Sequence, residues 1–145
     1  MAFKSLCLVL CLALYAMEAH GVRNYIAYRR AINFFQSDQA CRQMGGKLAV
    51  IESEAEHNRA VDAVKAVAGT TTNYYWIGAM DFGYEGHFLW FPINKYAVYK
   101  NFATGEPSNN GGAENCVIIQ VSKSYMWNDV TCDFGVDGYV CSFDR

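Results

Sequence analysis

Hydrophobic residues form one unbroken run near the amino terminus, at residues 6–16. Lys4 precedes this run, and a short mixture of polar and small residues follows it. A positive start, a short apolar run and a small-residue end are typical of a secretory signal peptide. The run is also shorter than the roughly 20 apolar residues that cross a membrane. We therefore expect residues 1–21 to be a removed signal peptide and residues 22–145 to form a secreted, extracellular domain.

Two later segments have hydrophobic residues at helical spacing. The first covers residues 33–44, places Cys41 on its buried face and ends at a pair of glycines. The second begins after Ser53, which forms a capping box with Glu56 three residues later, and ends at Gly69. The apolar positions of the first helix are Phe34, Ala40, Cys41 and Met44.

Short aromatic or β-branched runs predict strands, and most of them follow the helices. They lie at residues 25–28, 47–51, 74–79, 88–91, 116–121 and 138–142. This order favours one α+β domain over alternating α/β units. Residues 93–115 show little periodicity and are rich in Gly, Asn, Pro and Ser. A loop of that length in a compact domain is typically either disordered or functional.

Composition and charge exclude several classes of protein. The 145 residues are 52% hydrophobic and 18% charged, so the chain is not a disordered one. The net charge is −2 and no basic block occurs, which argues against nucleic acid as a partner. His57 and His87 lie near no cysteine or serine nucleophile pattern, so we do not expect an enzyme.

The cysteines indicate a disulfide framework. Removal of the signal peptide leaves Cys41, Cys116, Cys132 and Cys141. Four cysteines in an oxidising compartment predict two disulfides, and three pairings remain open on this count alone. No CxxC spacing of a zinc or redox motif is present among them.

Oxygen donors crowd residues 105–132. The carboxylates are Glu106, Glu114 and Asp129, and the amides are Asn109, Asn115 and Asn128. Calcium takes six to eight such oxygen ligands, at roughly 2.3–2.6 Å. Zinc is a poor fit because the segment holds no histidine and no free-thiol pair. The segment therefore predicts a calcium site.

Several motifs together resemble the C-type lectin domain, in the four-cysteine form of secreted single-domain lectins of insects. They are Cys41, Trp76-Ile77-Gly78-Ala79, Glu106-Pro107-Ser108, Trp127-Asn128-Asp129 and the ordered Cys116, Cys132 and Cys141. The resemblance implies an α+β fold with two helices, two small antiparallel sheets and a long calcium-binding loop. It also implies the disulfides Cys41–Cys141 and Cys116–Cys132. Trp127 is expected in the core.

The resemblance further implies a set of site residues. Those that bind both calcium and sugar would be Glu106, Ser108, Glu114, Asn128 and Asp129, with a cis peptide bond before Pro107. An auxiliary calcium site would use Asp81, Glu85, Asn109 and Asn115, together with Glu114. Ser108 stands where the family usually has Asn or Asp. Its hydroxyl is shorter than an amide and neutral.

The expected function is calcium-dependent binding of a mannose-type or fucose-type sugar on microbial or host glycans. The Glu-Pro pair resembles mannose-type members of the family, whereas galactose-type members carry Gln-Pro-Asp. A galactose-type lectin is one alternative. A C-type-lectin-like protein-interaction domain that has lost sugar binding is another, and Ser108 favours it. A glycosidase built on Glu106 and Glu114 is not favoured, since the asparagine-rich surroundings fit ionised carboxylates holding a cation. The oligomeric state stays open.

Overall fold

The computed structural model describes residues 2–19 and 21–144, and the first element is the helix α1 (Ala2–Ala19). The predicted signal peptide overlaps α1, but Met1 and His20 within it lie outside the described residues, as does Arg145. Across the described part of the chain, α1 included, no helix has the length and apolar character needed to cross a membrane.

Two further helices occupy the positions that the periodicity predicts. They are α2 (Phe34–Gln43) and α3 (Glu54–Val67). Asn33 caps α2 and forms a reciprocal capping box with Gln36. This capping box was not predicted from the sequence. Cys41 is fully buried as expected, whereas Met44 is 42% exposed because α2 ends one residue before it.

The capping box predicted for α3 is only half formed. The Ser53 hydroxyl accepts a hydrogen bond from the backbone N–H of Glu56 at 3.2 Å. The Glu56 carboxylate does not return to Ser53. It accepts instead from the backbone N–H of Glu52 and from Arg23, because the guanidinium offers a charged partner in the same region.

The strands confirm the predicted segments and add two that were not predicted. They are β1 (Asn24–Tyr28), β2 (Lys47–Leu48), β3 (Tyr74–Met80), β4 (Leu89–Trp90), β5 (Lys95–Tyr96), β6 (Cys116–Gln120), β7 (Met126–Val130) and β8 (Gly138–Phe143). The strands β5 and β7 were missed. Both are short, and β7 carries two polar residues at its centre, which masks the alternating pattern.

Within the described residues, all eight strands belong to one hydrogen-bonded network. Most pairs are antiparallel, but β3 runs parallel to β8, with Tyr75 opposite Gly138. The sequence predicted two small antiparallel sheets, and this parallel pair joins them into one. Gly138 permits the junction, since a Cβ there would collide with the carbonyl of Tyr28 and the ring of Tyr75.

The disulfides Cys41–Cys141 and Cys116–Cys132 are both present, with Cα–Cα distances of 5.5 and 5.0 Å. The first ties α2 to the central strand β8 and is surrounded by a buried cluster that contains Phe34 and Trp76. The second ties the start of β6 to the residues after β7. It therefore closes the hairpin that carries Asn128 and Asp129.

Trp127 lies at the centre of the second core cluster, as expected. Its indole is fully buried and packs edge-on against three rings, those of Trp90, Tyr99 and Phe102. Its backbone also holds the long irregular segment. The N–H of Trp127 donates to Asn101 at 2.8 Å, and its carbonyl accepts from Ala103 at 2.9 Å. The loop that follows Ala103 is thereby fastened to β7.

Candidate functional site

The polar loop turns back at Glu106 and Pro107, whose peptide bond is cis as predicted. The backbone N–H of Glu106 donates to the carbonyl of Ala103 at 2.9 Å. Since Ala103 is itself hydrogen-bonded to Trp127, the backbone that carries the Glu106 carboxylate is anchored to β7. The turn continues through Asn109, which adopts a left-handed conformation with φ of 45°.

Asp129 is the residue around which the loop closes. Its side chain is fully buried, and each carboxylate oxygen accepts a backbone N–H from the loop. Ser108 donates to Oδ1 at 2.8 Å and Asn109 donates to Oδ2 at 2.7 Å. Backbone donors of the loop thus satisfy both oxygens of this buried carboxylate. The site therefore joins two segments about 20 residues apart.

Ser108 connects all three acidic residues of the loop and the hairpin. Besides its bond to Asp129, its backbone N–H donates to Oε2 of Glu106 at 2.9 Å. Its hydroxyl donates to Oε1 of Glu114 at 2.9 Å, and the same oxygen accepts the backbone N–H of Asn110 at 2.6 Å. The structure thus brings Glu106, Ser108, Glu114 and Asp129 together.

The side-chain oxygen of Asn128 is a buried hydrogen-bond acceptor that receives no donor. Its Nδ2 donates to Oε1 of Gln120 at 3.3 Å, which orients the amide. Its Oδ1 is buried and has no hydrogen-bond partner. An unsatisfied buried carbonyl oxygen is costly unless a ligand satisfies it. This oxygen and the nearby carboxylates are the hard donors that calcium prefers, so the residues present fit that ion.

The electrostatics of the cluster also favour a cation. Burial raises the pKa of Glu106, and the neighbouring Asp129 carboxylate raises it further, while donation from Ser108 opposes both effects. Desolvation is the main cause that raises the pKa values of Asp81 and Glu85, and the negative charge of Asp129 adds a smaller contribution to both. A group of carboxylates that disfavour one another's ionisation is stabilised by a proton or by a positive ion.

The residues predicted for an auxiliary site are only partly gathered. Asp81 is buried and accepts the backbone N–H of Gly86 with Oδ2 at 2.8 Å, whereas Oδ1 has no partner. Burial raises the pKa of Asp81, and desolvation and the Asp81 carboxylate raise that of the exposed Glu85. The carbonyl of Asn115 accepts from the N–H of Asp81 at 3.1 Å.

Asn109 takes part in the loop closure. Its Oδ1 accepts the backbone N–H of Glu114 at 3.2 Å, which uses one of the two acceptor positions of an amide oxygen. No group of three or more His, Cys, Asp or Glu side chains within residues 2–19 and 21–144 is arranged to hold a metal ion. Oxygens of Asp129, Glu106 and Glu114 accept hydrogen bonds from N–H groups of the loop. A carboxylate has about four acceptor positions, so these bonds leave further capacity.

The candidate site is a cluster of partly buried side chains around the buried Asp129, with only Ser108 exposed. A cavity of about 380 Å³ lies elsewhere, between Phe35, Phe82 and the Cys132 turn, and is lined by none of Glu106, Glu114, Asn128 and Asp129. Two supporting residues were missed from the sequence. They are Gln120, which orients Asn128, and His57, which accepts from Trp127. Neither contact is visible without the tertiary packing.

Comparison with known proteins identifies similar chains. The profile of the lectin C-type domain family matches residues 30–143. C-type lectin 16 of Aedes aegypti is 32% identical over 106 residues, which cover 69% of each chain. Ladderlectin of Oncorhynchus mykiss is 30% identical over 112 residues, which are 77% of this chain but 58% of that protein.

A solved structure gives the same result at the level of the fold. The cow C-type carbohydrate-recognition domain of CD23, determined in the presence of GlcNAc2Man3 oligosaccharide, aligns with a TM-score of 0.72 and 31% identity. The alignment covers 85% of this chain and 88% of that one. The similarity therefore extends over both the helices and the sheet.

Proposed function

The chain belongs to the C-type lectin domain family, a family of carbohydrate-binding domains, and on that premise we propose that it binds mannose-type or fucose-type sugars through calcium. Two observations carry this proposal: hydrogen bonds gather Glu106, Ser108, Glu114 and Asp129, and the side-chain oxygen of Asn128, the residue before Asp129 in β7, is unpaired. Calcium bound there would supply a positive centre for oxygen atoms of the sugar.

The residues that would hold the ion are Glu106, Ser108, Glu114, Asn128 and Asp129. Each offers a hard oxygen, and the set mixes full charges with neutral carbonyl and hydroxyl groups. The carboxylates would also accept hydrogen bonds from vicinal sugar hydroxyls, and Nδ2 of Asn128 would donate to them. Asp81 and Glu85 are a second candidate pair, supported by the unpaired Oδ1 of Asp81.

Preference for mannose-type or fucose-type sugars is supported by two observations. Glu106 and Pro107 form the pair that resembles mannose-type members. The cow CD23 domain, at 31% identity, was determined with a mannose-containing oligosaccharide. Secretion is supported by the apolar run at residues 6–16 and by two disulfides, which form and persist in oxidising compartments. We propose that the glycan is microbial or belongs to the host.

Retention on mannose-agarose tests the proposal. The protein is loaded with calcium and eluted with EDTA, and Glu114→Gln and Asp129→Ala are compared with wild type. Asp62→Asn, which removes one exposed acidic group on α3, is the matched control. We expect EDTA elution for wild type and control and no retention for the two site variants. Retention that is unchanged by EDTA and by the site substitutions contradicts the proposal.

Two further measurements separate the remaining alternatives. A galactose column run in parallel distinguishes the galactose-type alternative. The melting temperature with and without calcium tests the ion by itself, because a ligand that binds only the native state raises the midpoint. A protein-interaction domain without sugar binding is favoured if Ser108→Asn restores retention that wild type lacks.

A further inference from the structure

His57 accepts a buried hydrogen bond from Trp127, the residue that precedes Asn128 of the candidate site. It lies on α3, is 6% exposed, and its Nδ1 is 3.2 Å from Nε1 of Trp127. An indole N–H is only a donor, so Nδ1 of His57 must be the unprotonated acceptor. The neutral imidazole, with its proton on Nε2, is therefore the form that this contact requires.

The backbone of Trp127 is in turn hydrogen-bonded to the polar loop. Its carbonyl accepts from Ala103 at 2.9 Å, and the carbonyl of Ala103 accepts from Glu106 at 2.9 Å. Trp127 is also directly followed by Asn128 in β7. A displacement of the indole would therefore disturb two residues of the candidate site, one through the loop backbone and one through the strand.

We propose that His57 is a positioning residue for this site, whose neutral imidazole holds Trp127 and thereby Glu106 and Asn128, and whose protonation loosens them. The consequence for calcium rests on the function proposed above. Once Nδ1 carries a proton, two N–H donors face each other across 3.2 Å in a buried place. That contact cannot persist, so the indole or the imidazole must move.

The groups around His57 determine the pH range in which its imidazole becomes protonated. Burial lowers the pKa of His57, and the negative charge of Glu54 on the same helix opposes that effect. The ring of Trp127 packs edge-on against His57, and the ring of Tyr99 packs against Trp127. Burial raises the pKa of Tyr99, so its phenol is neutral. His57 is thus neutral at pH 7 and charges as the pH falls.

The first test uses calcium-free protein and needs no ligand. The ¹⁵N–¹H resonance of the Trp127 indole and the backbone amides of Ala103 and Glu106 are followed from about pH 7.5 to about pH 5. We expect all three to shift in wild type with the titration of the His57 imidazole. In His57→Gln they should stay constant, and His87→Gln, at an exposed histidine, should behave like wild type. A titration of His57 that leaves Trp127 and the two amides unmoved overturns the proposal.

The second test measures the calcium affinity of the same three proteins near both ends of that range. Protonation of carboxylates weakens calcium in all of them. Each protein is compared with its own calcium affinity near pH 7.5, and we expect acidification to lower the affinity of wild type about fivefold more than that of His57→Gln. Equal losses contradict a positioning role. If none of the proteins binds calcium at neutral pH, the proposed function fails, while the resonances still decide whether His57 positions the loop.

Discussion

The hydroxyl of Ser108 donates to Oε1 of Glu114 across 2.9 Å. This contact joins a short side chain of the loop to one of the acidic residues of the candidate site. The hydroxyl does not need to reach as far as an amide, because the backbone N–H of Ser108 already joins Glu106 and Asp129. Ser108 therefore acts as an organiser of the acidic residues as well as a candidate ligand.

Ser108→Ala removes this donor and leaves the backbone bonds in place. We expect calcium affinity to fall about 3–10-fold, since a lost hydrogen bond to a charged group is worth roughly 1 kcal/mol or more. Ser108→Asn should raise it, because the amide adds a longer neutral oxygen. Calorimetric titration with calcium measures both. Thr104→Ala, at an exposed position of the same loop, is the control, and an equal loss there would remove the assignment to Ser108.

Asp129→Asn places an amide donor opposite a backbone N–H of Ser108 or Asn109. We expect the calcium-free protein to lose about 1–3 kcal/mol of stability, since a buried donor is left facing another donor. Urea unfolding in EDTA measures this loss. Asp133→Asn, at an exposed position four residues later, should change little. A neutral effect at Asp129 would mean that the loop closes without its carboxylate.

Arg23, the residue before β1, is hydrogen-bonded to three acidic residues. Its guanidinium donates to Asp144 at 2.8 Å, to Glu56 at 3.2 Å and to Glu52 at 3.3 Å. Arg23→Ala should cost about 1–3 kcal/mol, because partly buried carboxylates lose a charged partner. Chemical denaturation checks this value against Arg30→Ala, an exposed arginine beyond β1. Equal stability of the two variants would contradict the prediction.

Acid should weaken this same network. The hydrogen bond from Lys95 lowers the pKa of Glu52, and the one from Arg23 lowers that of Asp144. The unfolded carboxyl groups have higher pKa values, so the unfolded chain binds more protons as the pH falls. The stability is therefore present above about pH 4.5 and is lost below it. Lys95→Met should flatten the decline seen by urea denaturation between about pH 5 and pH 3. An unchanged decline would exclude Glu52 as a contributor.

The two disulfides should have different effects when removed. Cys41–Cys141 spans 100 residues and Cys116–Cys132 spans 16. Chain-entropy arguments give roughly 4–5 kcal/mol for the first and about 3 kcal/mol for the second. Replacing each pair by alanine should therefore lower the melting temperature more for the first. Calcium affinity should fall more for the second, which closes the β6–β7 hairpin. Equal calcium affinities would mean that the hairpin needs no covalent closure.

The sequence by itself determined the features that depend on local pattern. The helices α2 and α3, most of the strands and the position of the polar loop follow from periodicity and turn residues. The motifs around Glu106, Glu114 and Trp127 identified the family. The disulfide pairing came from that resemblance and not from the cysteine count, which left three pairings open.

Only the tertiary structure decided which oxygens are occupied and which are unpaired. The short strand β7, the parallel pairing of β3 with β8 and the diversion of Glu56 toward Arg23 all depend on contacts between distant segments. The same is true of the bond between His57 and Trp127, which joins residues 70 apart in the chain. Local patterns cannot encode such contacts, because they arise when separate elements pack and each buried polar atom must find a partner.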